Sequence, residues 1–222
     1  MTWQIDFSDE PISYLFETKG DFKMIGFNIR SIKLEEIDQV ASFIATGYED
    51  DIFFKWCVGH DKNQHEIVTE YYKVYLNAKG CVAHVAEDAN GEIVGATVWL
   101  PHDVDARIYA DINEAVGVYA ANFQAVEDKS HDNEPTDGPF YQLVAVVADE
   151  ALRGQGIGSA LLKHQIDDLD GQGIPTYLEA STPYYGGGIY GKFGYQPFGE
   201  LMVFAEGITL YPLYRAVGSK SN

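Results

Sequence analysis

The sequence predicts a mixed α/β domain, a central sheet with helices packed on it, and three observations carry that expectation. Apolar residues recur at helical spacing in some segments and in continuous or paired runs in others. A strand hairpin comes first and a strand–loop–helix–strand unit follows, which calls for parallel and antiparallel neighbours in one sheet. At 222 residues, 46% hydrophobic and 14% aromatic, the chain can bury a sizeable core.

The elements follow in order. Residues 1–23 read as an N-terminal appendage punctuated by Pro11 and Gly20, and residues 24–218 as one domain. "FNIRSI" is a strand, and "KLEEIDQVASFIATG" places Leu34, Ile37, Val40 and Ile44 on one helical face, closed by Gly47. "HEIVTEYYKVYLNAKG" repeats that pattern with Ile67, Tyr71, Val74 and Tyr75. "CVAHVAED" and "EIVGATVWL" flank a turn and read as a hairpin that Pro101 terminates. Asp103 to Val126 reads as a helix interrupted near Gly117, and "EDKSHDNEPTDGP" as a long polar loop. "FYQLVAVVA" is a near-continuous apolar strand expected to be buried on both faces. A glycine loop, a helix carrying Leu162, Ile166 and Leu169, the strand "PTYLEAS", a second glycine-rich segment and a final strand pair complete the chain.

Composition excludes several function classes. A net charge of −19 disfavours nucleic acid as a partner, and the acidic clusters Glu49–Asp51 and Glu127–Asp137 read as solvated loops. Cys57 and Cys81 have neither metal-site nor disulfide-framework spacing, and the histidines are unpaired in sequence, so no metal is expected. No apolar run approaches the length of a membrane span, and "MTWQIDFSDEP" lacks the features of a signal peptide. A soluble cytoplasmic protein is the expectation; the oligomeric state stays open, a homodimer included.

"LRGQGIGSALL" raises the functional question. Gly154, Gly156 and Gly158 sit between an apolar strand and a helix, where backbone N–H groups and the helix dipole favour an anion. A dinucleotide fingerprint would need glycine where Ser159 stands, and a Walker loop would need Lys followed by Ser or Thr. What remains is Arg-x-x-Gly-x-Gly, Arg153 to Gly158.

"VVADEALRGQGIGSALL" resembles the acyl-CoA loop of the GNAT superfamily of N-acetyltransferases, usually V-x-P-x-x-[QR]-G-x-G-x-[GA]-x-x-L-L, with departures at Ala148 and Glu150. "LEASTPYYGGGIYGKFGY" resembles a second segment of that family and puts Tyr190 at its tyrosine position; Ser181 and the Gly186–Gly188 run depart from the family pattern. "GATVWLPH" with "YLEAS" is similar to the subgroup containing puromycin acetyltransferase, over roughly Phe27 to Arg215.

The resemblance implies a mostly antiparallel twisted sheet and direct transfer of an acetyl group from acetyl-CoA, the co-substrate, to a primary amine of a small or medium-sized substrate. It implies a pyrophosphate held by Arg153, Gly154, Gln155, Gly156, Ile157, Gly158 and Ser159, and pantetheine amides paired with the edge of Ala145, Val146 and Val147. Tyr190 is then the donor to the leaving sulfur, with a packed aromatic as the bland alternative. Glu179 is a candidate base alongside a structural role, because Tyr141 and Gln142, where the family often places its base, are not carboxylates. "GYEDDIFFKW" mixes acids and aromatics, so Tyr48, Phe53 and Phe54, with Tyr141, are candidate acceptor contacts, core packing being the other account. Two other readings remain: a protein or peptide N-acetyltransferase, and a non-catalytic acyl-CoA-binding module.

Overall fold

The computed structural model describes residues 12–14, 26–183 and 188–219. Of the expected appendage, Ile12–Tyr14 forms strand β1; the rest of residues 1–23 lies outside the described residues, as do Gly186 and Gly187 of the second glycine run.

The hairpin expected from the sequence is present as β3 (Val82–Asp88) and β4 (Ile93–Pro101), the latter buried along nearly its whole length. β2 (Phe27–Ser31) pairs with β3 and carries β1 on its outer edge. β5 (Tyr141–Ala148) adds to β4 antiparallel, and β6 (Thr176–Ala180) adds to β5 parallel. The remaining strands, β7 (Gln196–Pro197), β8 (Met202–Ala205) and β9 (Ile208–Arg215), follow; β9 pairs with β6, β7 and β8. The order is β1-β2-β3-β4-β5-β6-β9-β7, antiparallel throughout except at β5–β6. This is the mixed, mostly antiparallel sheet expected.

Helices cover both faces. α6 (Ile157–Gln172) packs Leu162, Ile166 and Leu169 against Trp99, Leu143 and Leu178. It approaches β4 closely because residue 95 is glycine: a Cβ there would lie 2.5 Å from Ile157 Cγ2. The opposite face is covered by α1 (Ile37–Gly47) and α3 (Gln64–Leu76), whose Val40, Ile44, Val68 and Tyr72 pack on Val85, Val98 and Val147. The short α2 (Ile52–Cys57) is capped by Asp51, whose carboxylate accepts from the N–H groups of Phe53 and Phe54 at 2.8 and 3.2 Å.

Two expectations are corrected. The helix interrupted at Gly117, which adopts φ +56, is α4 (Arg107–Val116) followed by α5 (Ala120–Asn133). α5 runs seven residues past Val126 (133 − 126) because Phe123, Val126 and Ser130 continue one buried stripe, so half of the expected polar loop is helix. β5 is not buried on both faces; buried Leu143, Ala145 and Val147 alternate with half-buried neighbours, and the reason is the cavity that opens on it.

Candidate active site

β5 and β6 stay together only briefly. Their parallel register runs Tyr141–Thr176, Gln142–Tyr177 and Leu143–Leu178, and there it ends. Glu179 and Ala180 continue to pair with β9, while Val146, Val147 and Ala148 continue to pair with β4. The strands therefore part, leaving the β6-side edge of β5 open beyond Leu143. Val144 is bulged out of the β4–β5 ladder at the same point, since Val98 pairs with Ala145 and Trp99 with Leu143.

The glycine loop lies at one end of this opening. Gly154 and Gly156 adopt φ +82 and +83, where L side chains are strained. Gly158 has no such φ; a Cβ there would meet Ile189 at an ordinary 3.5 Å. Gln155 N–H is used internally, donating to Leu152 O at 3.3 Å, whereas the N–H groups of Gly154, Gly156, Ile157, Gly158 and Ser159 meet no acceptor among the described residues. Ile157 turns its side chain into the core and offers only its backbone. Arg153 is exposed and pairs with Glu150 at 3.1 Å. The loop thus presents free donors at the start of a sixteen-residue helix, which suits an anion.

The parting leads into a cavity of about 210 Å³. Its aromatic wall contains Tyr48, Phe53, Phe54, Tyr71, Tyr72 and Tyr75. Tyr48 stacks on Tyr72 with ring centres 5.8 Å apart and planes 13° apart, and tilts on Phe54 at 5.1 Å. Burial raises the Tyr48 phenol well above its ordinary range, and neighbouring Tyr190 and Asp51 add to that; the Val146 backbone and Tyr72 hydroxyl touch it. Tyr190 lines the same cavity, and burial pushes its phenol up to about 12. It leads into the turn Gly191–Phe193, which Arg215 secures: Arg215 Nε donates to Phe193 O at 2.7 Å while its fork grips Asp170 at 2.7 and 2.7 Å.

The acidic wall comes from two elements. Glu179 on β6 accepts from Ser130 Oγ at 2.7 and 2.6 Å and from Tyr177 at 2.9 Å. Burial pushes it up to about 7 against the opposing effect of those donors. Glu127 on α5 accepts from Tyr75 at 2.9 Å and is likewise pushed up to about 7, by burial first and then by Glu179 and Glu134. Burial raises Glu134 as well. Asp51 receives Ser181 Oγ at 2.8 Å.

The structure thus brings Tyr48, Phe53, Phe54, Glu179 and Tyr190 around one cavity that borders Val146. Tyr141 does not line it: it packs on the α6 side with Leu143 and Ile174, and its neighbour Gln142 faces the cavity instead. The acidic clusters read as solvated loop are corrected too, since Asp51, Glu127 and Glu134 line the cavity. Ser130 and these acids were legible only as a polar segment. His84 and His164, unpaired in sequence, meet edge to face at 4.6 Å beneath α6, and burial then holds His84 down to about 3.

A mixed sheet whose two parallel strands part beside a glycine-rich helix start defines an acyl-CoA-type transferase fold. The GNAT acetyltransferase family model matches residues 49–186, and the chain belongs to that family; it is an acyltransferase. A search of curated proteins finds no match. Among solved structures, the fold is similar to a Corynebacterium glutamicum protein described as histone acetyltransferase HPA2 and related acetyltransferase, with TM-score 0.65, 19% identity, 88% of this chain and 99% of that one covered. It is also similar to arylalkylamine N-acetyltransferase 2 from Aedes aegypti, with TM-score 0.61, 11% identity and coverage of 86% and 99%. A third is the Drosophila melanogaster polyamine N-acetyltransferase, described as forming N-acetylagmatine, with TM-score 0.56, 15% identity and coverage of 86% and 99%. Among the described residues no helix is long and apolar enough to cross a membrane.

Proposed function

We propose that the protein transfers an acetyl group from acetyl-CoA to the primary amine of a small or medium-sized molecule. The observation that carries this is the parting of β5 and β6 after Leu143 and Leu178, with free loop N–H groups at one end and an acidic, aromatic cavity beside it. The residues present suit the co-substrate: the N–H groups from Gly154 to Ser159 would hold a pyrophosphate, and the open edge of Ala145–Val147 would pair with pantetheine amides as an added strand does. Acetyl-CoA supplies the activated acyl carbon as a thioester.

The chain's own groups then manage protons. An alkylamine of pKa about 10.4 must lose a proton before attack, which costs roughly 4.6 kcal/mol at pH 7. Glu179, held at about 7, is matched to that task near neutral pH, directly or through water. The amine nitrogen forms its bond to the acyl carbon as the carbon–sulfur bond breaks. The departing sulfur takes a proton from Tyr190, and the second proton that the nitrogen sheds on becoming an amide returns to the Tyr190 oxygen, directly or through water. The Tyr190 hydroxyl has no hydrogen bond to a described residue, so it is free to do so.

The structural neighbours described as acting on arylalkylamines and on agmatine support a small amine as acceptor. So does the cavity volume, which is small for a peptide. The test is thiol release from acetyl-CoA across a panel of alkyl and arylalkyl amines. Amine-dependent release above hydrolysis is expected; its absence across the panel overturns the reading.

A further inference from the structure

The cavity next to the β5–β6 parting holds more negative charge than one acetylatable amine requires. That amine reacts as the neutral base and gives its proton up, for which one carboxylate suffices. Among the described residues four line the cavity. Asp51 caps α2 and receives Ser181. On the facing wall stand Glu179 from β6, and Glu127 and Glu134, seven residues apart on and just beyond α5 (134 − 127) and so on one helical face. Their donors are neutral: Ser130 and Tyr177 on Glu179, Tyr75 on Glu127. Among the described residues no lysine or arginine lines the cavity. The basic groups facing these acids are two histidines: His131, 3.6 Å from Glu134 and 79% exposed, and His102, which lines the cavity and acts on Glu134.

Carboxylates gathered without a lysine or arginine among them repel one another and lose hydration. Burial raises Glu127, Glu134 and Glu179 above their ordinary range, and neighbouring acids add to it at Glu127 and Glu179, while His131 and His102 oppose it at Glu134. A bound cation removes both costs. The position of the surplus acids also separates two tasks. Along β5 the cavity runs from Val146, next to the glycine loop, to Gln142, which pairs with Leu100 of β4; His102, just beyond β4, lines that far end. Glu134 responds to His102 and belongs to this far end, away from the loop.

We propose that the acceptor carries two cationic centres: a primary amine that is acetylated beside Glu179 and Tyr190, and a second protonated amine or guanidine held by Glu127 and Glu134. This rests on the acetyl-transfer reading above and narrows it to diamine-type and aminoguanidine-type substrates. A charge-assisted hydrogen bond contributes enough to make the second centre worth at least about tenfold in kcat/KM.

The experiment compares matched pairs on the full chain with saturating acetyl-CoA: 1,4-diaminobutane against butylamine, and agmatine against pentylamine. The expected result is a diamine-to-monoamine ratio in kcat/KM of at least about tenfold, collapsing toward unity in the E127Q/E134Q double variant. Equal use of both members of each pair by the native protein, with amine-dependent thiol release intact, overturns the second centre and leaves the acetyl-transfer reading standing. No release above hydrolysis with any of the four amines overturns both. A ratio that survives in a double variant with native circular dichroism assigns the preference to other residues and also overturns the proposal. If that variant does not fold, equilibrium dialysis of labelled 1,4-diaminobutane against the native protein, with excess butylamine or excess agmatine as competitor, decides: displacement by agmatine alone supports the second centre, and equal displacement by butylamine overturns it.

Discussion

The Ser130 hydroxyl reaches across 49 residues of sequence to lie 2.7 and 2.6 Å from the two oxygens of Glu179. It joins α5 to the end of β6 and opposes the rise that burial imposes on the carboxyl. Removing it, in Ser130→Ala, takes away a donor that favours the ionised form. The acid limb of kcat/KM against pH should therefore move upward from about 7, by roughly half a unit to one unit. In Glu179→Gln that limb should disappear with a large loss of rate. A profile unchanged in S130A would mean that Glu179 does not accept the amine proton.

Tyr190 faces the cavity with a hydroxyl that meets no described partner, and burial keeps it protonated. Tyr190→Phe keeps the ring that packs edge to face on Tyr195 at 6.0 Å and removes only the donor. Turnover should fall about 10- to 100-fold while acetyl-CoA affinity changes less than threefold. Steady-state rates alongside a calorimetric titration separate the two, and undiminished turnover would reduce Tyr190 to packing.

Much of this site could be read from the chain, because its parts obey local rules. The glycine loop is legible since Gly154 and Gly156 meet a backbone demand that other residues satisfy poorly. β3, β4 and β5 are legible because burial imposes long apolar runs. The acidic wall was hidden for the opposite reason. Glu127, Ser130 and Glu134 continue the face of Phe123 and Val126, but that face turns from core to cavity, so its residues are polar and look like solvated loop. Tyr141 was misplaced by one position, since the choice between Tyr141 and Gln142 depends on strand facing near the Val144 bulge, which no period reveals. The approach of Glu179 to Ser130 is tertiary and has no sequence signature.

Gly156 caps α6 with φ +83 and ψ 3, and no atom crowds the position where a Cβ would stand. Gly156→Ala should therefore act through backbone strain and through obstruction of an approaching ligand, not through a clash within the protein. A cost of about 1 kcal/mol in stability is expected. The midpoint rise on adding acetyl-CoA at ~100-fold over its dissociation constant, about 5–10 °C for the native chain, should shrink by more than half in G156A. An equal rise in both would detach the loop from co-substrate binding.

Arg215 is 3% exposed and satisfied on every side, by the Asp170 carboxylate, Phe193 O at 2.7 Å and Ser219 O at 3.0 Å. It thereby fastens α6 and the turn below Tyr190 to β9. Arg215→Met leaves Asp170 with only the Gly218 N–H and takes the side-chain donor from two carbonyls, and a loss of about 2–4 kcal/mol in unfolding free energy should follow. Arg215→Lys should recover only part of it, since an ammonium cannot reproduce the fork. Urea unfolding of the three proteins measures this directly, and a loss below about 1 kcal/mol in R215M would remove the fastening role.

The acidic wall also dictates how stability depends on pH. Glu127 and Glu179 sit at about 7 in the folded protein, against ordinary carboxyl values near 4.5. Between those values the folded chain binds protons that the unfolded chain has released, so unfolding free energy falls as pH rises from about 4.5 to about 7. The protonated acids are tolerated below that window, and the ionised ones cost stability above it. Glu127→Gln fixes the neutral form at one position. At pH 8 it should raise Tm by about 3–6 °C, corresponding to roughly 1–2 kcal/mol, and at pH 4.5 the difference should nearly vanish. Thermal scans of the native chain and E127Q at both pH values test the sign as well as the size. A native chain that grows more stable across that window, with E127Q following it in parallel, would mean that Glu127 is ionised and well solvated, and the cavity far less dry than its lining implies.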